Sequence, residues 1–172
     1  MTNWYVLFVR GTYEQKVCDY FNKQDGLSAF LPKKEVIHKK EGKLIKLTKL
    51  LFPGYVFIET EMDHIKFHQL IYELRNRVDG IVRNLEYDLE GTPALYDSER
   101  ELIERLVNKE RVVQHSVGVI EGDKIVVTEG PLMGFESFIT HIDRHKRICT
   151  LEIEMMGSKR DMKVSLEIVS KI

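Results

Sequence analysis

Cysteine is scarce. Cys18 and Cys149 are the only two in 172 residues, with no CxxC and no metal-type spacing, so the chain is not a disulfide scaffold and both read as buried free thiols. No apolar run approaches membrane-spanning length, and Met1-Thr2-Asn3 passes straight into Trp4 without the basic-then-apolar order of a secretory signal. A cytoplasmic protein with no membrane partner is expected. Charge of one sign is also missing: the formal net charge of −1 argues against a protein that coats nucleic acid by bulk electrostatics. Hydrophobic residues at 43% and charged residues at 31% exclude a disordered or collagen-like chain. Catalytic signatures are absent as well. The six histidines (38, 64, 68, 115, 141, 145) and two cysteines make no HExxH, nucleophile elbow or phosphate-cradling glycine loop. His64 and His68 stand at i, i+4 on one helix face as a metal pair, but no third ligand can be named, so packing or exposure is the reading. An enzyme is not expected, and neither a cofactor nor a metal.

What the sequence does have is concentrated aromatic and β-branched character. Leu51-Phe52-Pro53-Gly54-Tyr55-Val56-Phe57-Ile58 reads as a core strand entered through a Pro-Gly corner, because proline fixes its own φ, holds Phe52 extended, and is followed by a glycine that tolerates the bend. Period two puts Tyr55 and Phe57 on one face and Val56 and Ile58 on the other. Either both faces are buried, or one covers helices and the other presents an exposed aromatic patch.

The chain opens on a second such run, Trp4 to Arg10, ended by Gly11. Thr12 with Gln15 three residues on predicts an N-cap, and Tyr13, Val17, Tyr20, Phe21 and Gln24 predict the inner face of a helix closed by Asp25-Gly26. Leu27 to Leu31 is a short strand broken by Pro32. Between Lys33 and Lys49 seven lysines face two glutamates, with apolar residues set around Glu41-Gly42, which predicts a projecting hairpin. Its lysines are either simply solvated or turned toward nucleic acid. After the strand to Thr60, Asp63 caps a helix with Ile65, Phe67, Leu70, Ile71 and Leu74 inward, and Asp79-Gly80 turns the chain into a strand at Ile81-Val82-Arg83. This order suits an antiparallel sheet with helices on one face, an α+β layer.

Residues 85–97 read as a loop containing Gly91 and Pro93. Ser98 and Glu101 have capping-box spacing ahead of a helix with Leu102, Ile103, Leu106 and Val107 inward. Residues 108–117 are polar and without period, and are expected to link a domain at 1–107 to another at 118–172. The second part reads as all β, with runs at Val119-Ile120, Lys124 to Thr128, Phe135 to Ile142, Arg147 to Ile153 and Met162 to Val169. Five short strands in about fifty residues predict a small β-barrel.

Three pieces now stand in one order: Trp4-Tyr5-Val6, then Phe52-Pro53-Gly54-Tyr55-Val56, then Gly122 to Pro131 (Gly-Asp-Lys-Ile-Val-Val-Thr-Glu-Gly-Pro). Together they resemble the NusG family of transcription elongation factors over essentially the whole chain, with an N-terminal NGN domain, a linker and a C-terminal SH3-like KOW domain. Where the family usually has Phe-x-Gly after the Gly-Pro turn, this chain has Phe135-Glu136-Ser137. Where Phe-Gly-Arg is common later, it has Met156-Gly157-Ser158-Lys159-Arg160. With the basic segment Asp143-Arg144-His145-Lys146-Arg147, these departures put the family's KOW contacts with Rho and NusE in doubt and are most similar to LoaP-type antiterminators.

The resemblance implies a monomeric, non-enzymatic factor that suppresses pausing and termination. It implies an apolar contact with the β′ clamp helices of RNA polymerase through Trp4, Phe52 and Tyr55, with Phe8 alongside, unless these rings are sealed in the core. Arg75, Asn76 and Arg77 fall where relatives touch non-template DNA, with Arg10 and Lys16 extending the path; a solvated helix end is the plainer alternative. For the KOW domain it suggests an RNA hairpin held by Arg144, His145, Lys146 and Arg147 in one turn and Lys159 and Arg160 in another, against solvated loops. The alternatives are a general NusG-type factor coupling polymerase to Rho or the ribosome, and a free RNA-binding module.

Overall fold

Strand β1 (Asn3–Val9) pairs antiparallel with the whole of β5 (Tyr55–Thr60), from Asn3 opposite Thr60 to Phe8 opposite Tyr55. The computed structural model describes residues 2–86 and 95–172. Helix α1 (Glu14–Asn22) and strand β2 (Leu27–Phe30) follow β1, and β2 pairs with the far edge of β5. Helix α2 (His64–Leu74) and strand β6 (Ile81–Asn84) complete an antiparallel four-stranded sheet in the order β2-β5-β1-β6. The expected α+β layer is therefore present.

Side-chain alternation builds the layer. Tyr5 is buried and stacks on Phe67 of α2 with ring centroids 4.1 Å apart. The opposite face carries Trp4, Phe30 and Phe57, with Trp4 edge-on to Phe30 at 4.9 Å and Phe30 5.5 Å from Phe57. Both faces of β5 are covered, since Val56, Phe57 and Ile58 are all fully buried. Periodicity in β5 left that choice open, and packing settles it.

Two caps differ from expectation. Thr12 does not cap α1; it has φ of 73°, and the residue at the cap, Tyr13, makes no side-chain bond there. The inner face of α1 is Glu14, Val17, Cys18 and Phe21, one position round from the predicted stripe. The cause is the earlier turn, which starts the helix later, and the Asn22 amide, which bonds both N and O of Ala29 and pins the helix end to β2. Helix α3 (Asp97–Leu106) begins ahead of Ser98, with Glu99 reaching back to accept the Tyr96 N–H at 3.0 Å in place of the Ser98–Glu101 pair. Asp63 does cap α2, accepting from Lys66 N at 2.9 Å. Ile65 lies outside its predicted inner face, at 60% exposed. Residues 87–94, most of the expected loop with Gly91 and Pro93, lie outside the described residues.

Strands β3 (Lys33–Lys40) and β4 (Lys43–Leu50) form the predicted hairpin, in register from Lys33–Leu50 to Lys40–Lys43. Glu41 and Gly42 both have positive φ, which fits a tight two-residue turn. The stretch expected as a linker contains β7 (Val112–Val113), which pairs parallel with β3, and the first residues of β8 (Ser116–Glu121). Strands β9 (Lys124–Glu129), β10 (Ile139–Asp143), β11 (Ile148–Met155) and β12 (Ser158–Lys171) join β8 in one sheet ordered β10-β11-β12-β8-β9. The five expected strands are there, and no pairing between the end strands β10 and β9 closes them into a ring among the described residues. The predicted strand at Phe135 starts four residues late, because Glu136–Phe138 is a 3₁₀ turn and the Glu136 carboxylate accepts the Val127 N–H. Gly130 must be glycine: its φ is +97°, and a Cβ there would lie 2.7 Å from the His115 carbonyl oxygen.

The chain divides into two compact units. The first holds 1–31, 52–101 and 155–158; the second holds 32–51, 102–154 and 159–172. The hairpin thus belongs to the same unit as β8 to β11. Cys18 and Cys149 are both free and buried, and burial pushes the Cys149 thiol up to about 12.

Candidate functional site

The aromatic face of the first sheet grades from sealed to open along its length. Trp4 is 4% exposed, its indole N–H donates to Glu59 Oε2 at 2.9 Å, and the Arg100 guanidinium lies over its ring at 4.7 Å. Phe52 is also buried, against Phe57 at 5.6 Å. Phe8 and Tyr55 sit opposite each other at the end of the β1–β5 ladder, 5.6 Å apart and half-buried. Of the four predicted aromatic contacts, two therefore serve the core, and the pair left at the surface includes Phe8, the ring the sequence marked least. The Pro-Gly corner beside them is held by Glu14, whose buried carboxylate accepts the Gly54 N–H at 2.9 Å.

A cationic edge forms where the α1 start and the loop after α2 meet. Arg10 N donates to Gly80 O at 2.8 Å, and the Arg10 guanidinium pairs with Asp79. Arg10 and Lys16 both lie over the Tyr13 ring, at 4.8 and 5.7 Å. Arg75 caps α2 and covers the exposed Tyr72 ring at 4.7 Å, and Asn76 and Arg77 are exposed beside it. All five predicted DNA-contact residues thus stand at the surface of one unit, with Arg10 tied through Asp79 to the segment that carries Arg77. Tyr13 and Tyr72 were missed. Their signal was the i, i+3 spacing of Arg10, Tyr13 and Lys16 and of Tyr72 and Arg75. Midway along α2, His68 Nδ1 meets Glu86 Oε1 at 2.7 Å, so the His64–His68 pair has one imidazole already engaged by a carboxylate.

The two basic turns of the second unit do not converge. Residues 144–147 precede β11, and Lys159 and Arg160 stand at the start of β12 past its far end; the Leu166 N–H of β12 bonds Arg147 O, so seven strand residues, about 23 Å, separate Lys159 from that turn. Lys159 is paired with Glu152 at 3.8 Å. Arg147 has φ of 57° and its Nε lies 3.5 Å from Glu167 Oε1, an ion pair that is not a hydrogen bond. Glu167 also faces His115 Nε2 at 3.5 Å, whose Nδ1 meets the buried Ser165 hydroxyl at 2.5 Å. Arg144, His145 and Lys146 remain exposed. Asp143 shapes this turn: its carboxylate accepts the Lys146 N–H at 2.9 Å, which holds its pKa below the ordinary aspartate value.

What the turn meets instead is the lysine hairpin. Val36, His38 and Lys49 of β3–β4 and His145, Lys146 and Ile148 of the turn line one open cleft of about 360 Å³. Lys34 stands directly opposite Lys49 in the hairpin register, and its Nζ donates to Lys163 O at 2.6 Å. Burial, then the charges of Lys49 and Lys163, lower its pKa.

Comparison with known proteins places these features in a family. The family model described as "Transcription termination factor nusG" matches residues 2–104, more than half the chain. Three proteins called "Transcription termination/antitermination protein NusG" are similar over nearly their full length. Those of Staphylococcus carnosus, Haemophilus influenzae and Bacillus subtilis are 26%, 28% and 27% identical, over 98%, 98% and 99% of this chain and 95%, 94% and 98% of their own. The strand–helix–strand sheet, the Pro-Gly corner and these matches lead to one conclusion: the chain belongs to the NusG family.

Proposed function

We propose that this protein is a transcription elongation factor that binds RNA polymerase and promotes processive antitermination, recruited by RNA through its C-terminal β unit. The observation that carries this reading is the half-buried Phe8–Tyr55 pair at the open end of an otherwise sealed aromatic sheet face. Apolar burial of these rings against the β′ clamp helices supplies the attraction, at about 25 cal/mol per Å². The factor favours the closed clamp by binding it more tightly than the open, paused form. Arg10, Lys16, Arg75, Asn76 and Arg77, all exposed, follow the non-template strand in this reading, with Tyr13 and Tyr72 as stacking surfaces. Arg144, His145 and Lys146 are the exposed RNA-facing residues of the LoaP-like reading; Lys159 and Arg160, at the far end of β11, act apart from them.

The test is transcription by purified polymerase through an intrinsic terminator placed behind a structured leader RNA. Read-through that rises with the protein and needs the leader supports the proposal; unchanged termination refutes it. The relatives are named for termination as well as antitermination, which favours a second reading as a general factor that couples polymerase to Rho or the ribosomal protein NusE. Enhanced Rho-dependent termination by this protein would select that reading.

A further inference from the structure

We propose that the cleft between the β3–β4 hairpin and the β10–β11 turn is a binding site for an unpaired stretch of RNA, with bases on its apolar floor and phosphates on its lysines. This deepens the RNA-recruitment reading and rests on it. It assigns the hairpin, so far only a charged ribbon, a part in the same site as the turn.

Three observations converge. One face of the hairpin, read from its register, presents the cross-strand pairs Lys34–Lys49, Val36–Leu47, His38–Ile45 and Lys40–Lys43. That is an apolar strip with a lysine pair at each end and no carboxylate. Like charges directly opposite one another destabilise a hairpin, so the face is electrostatically incomplete until an anion meets it. Burial first, and then the charges of Lys49 and Lys163, lower the pKa of Lys34 within the fold.

The second observation is the facing wall. His145 and Lys146 are exposed, and they close the cleft together with Ile148. Cleft and walls lie within one unit of the chain, so their geometry does not depend on how the two units are arranged. Imidazole planes and aliphatic side chains accept the flat face of a base, and flexible lysines reach the backbone phosphates.

The third is shape. The cleft is open and measures about 360 Å³, a volume on the scale of a base or two and far below that of a turn of duplex. Among the described residues its lining holds no acidic side chain, although Arg147 within it pairs with Glu167; Lys39, Lys49 and Lys146 are the lysines it offers a phosphate.

The test uses the full-length protein and a fluorescent ten-nucleotide RNA of mixed sequence without self-complementarity, titrated at several salt concentrations. Lys39 also lines the cleft beside His38; the expected result is that Lys39→Ala with Lys49→Ala weakens binding roughly tenfold and lowers the salt slope by about 1.4, two phosphate contacts on a single strand. Val36→Ser should weaken binding with the slope unchanged, and Lys124→Ala, an exposed lysine outside the cleft lining, should do neither. An unchanged urea midpoint of the hairpin variant separates loss of binding from loss of fold. Wild-type affinity in the hairpin variant overturns the cleft, as does tighter binding of an RNA duplex or of single-stranded DNA of the same sequence. Capture by RNA polymerase, measured on the same preparations, separates the two proposals. Capture without RNA binding overturns the cleft and leaves the elongation-factor reading standing; RNA binding without capture does the reverse.

Discussion

Trp4 and Tyr55 lie on the same face of one sheet, and replacing each by alanine separates core from contact surface. Trp4→Ala removes an indole that is 4% exposed, edge-on to Phe30, beneath Arg100, with its N–H bonded to Glu59. A large-to-small change at such a site costs about 3–5 kcal/mol, which lowers a urea midpoint by about 2 M at an m-value of about 2 kcal/mol/M. Tyr55→Ala removes a half-buried ring whose aromatic neighbour Phe8 stays in place. Its folding cost is about 1 kcal/mol, but truncating a central aromatic anchor weakens an interface by about 2 kcal/mol or more, roughly thirtyfold in Kd. The assay is urea unfolding followed by circular dichroism, beside binding to immobilised RNA polymerase. Tyr55→Ala that binds within twofold of the unaltered protein would refute the contact surface. An unmoved urea midpoint for Trp4→Ala would refute the packing.

Three further outcomes are expected. Gly80→Ala places a Cβ 2.6 Å from Tyr13 Cβ at a φ of +101°, so it should destabilise the protein by about 2–4 kcal/mol, read as a lowered urea midpoint; an unchanged midpoint would show that Tyr13 moves freely. Glu14→Ala leaves the Gly54 N–H without its acceptor beside the Pro-Gly corner, at a cost of about 1–3 kcal/mol, whereas Glu14→Gln keeps a carbonyl acceptor and should recover most of it in the same unfolding measurement. For Asp143, the depressed native pKa means its stabilisation of the turn is present above the ordinary aspartate value and is lost as pH falls through the native one. Carboxyl carbon NMR should therefore show an Asp143 midpoint below that of an unstructured peptide, with the Lys146 amide titrating alongside, and a midpoint at the peptide value would remove that role.

How much of this was legible beforehand follows from the range of the forces involved. Period-two runs such as Trp4 to Val9 and Tyr55 to Thr60, the Glu41-Gly42 turn and the Asp63 cap are set by neighbouring residues, so the sequence alone determined the hairpin, the helices, their order and all the strands but β7. The ordered motifs carried the family for the same reason, since each is a local backbone requirement. Burial is different, because it depends on what other segments bring. Nothing near Trp4 announces that Phe30, Phe57 and Arg100 will close over it, or that Phe8 will be left at the open end of the ladder. The basic turns show the same division. Their charge is written in residues 144–147 and 159–160, but only pairing along β11 sets them at opposite ends, and only the tertiary fold lays the turn at 144–147 against a lysine hairpin about a hundred residues earlier. Charge is a property of composition; the field at a surface is a property of which charges the fold makes neighbours, and in this protein the fold made that choice.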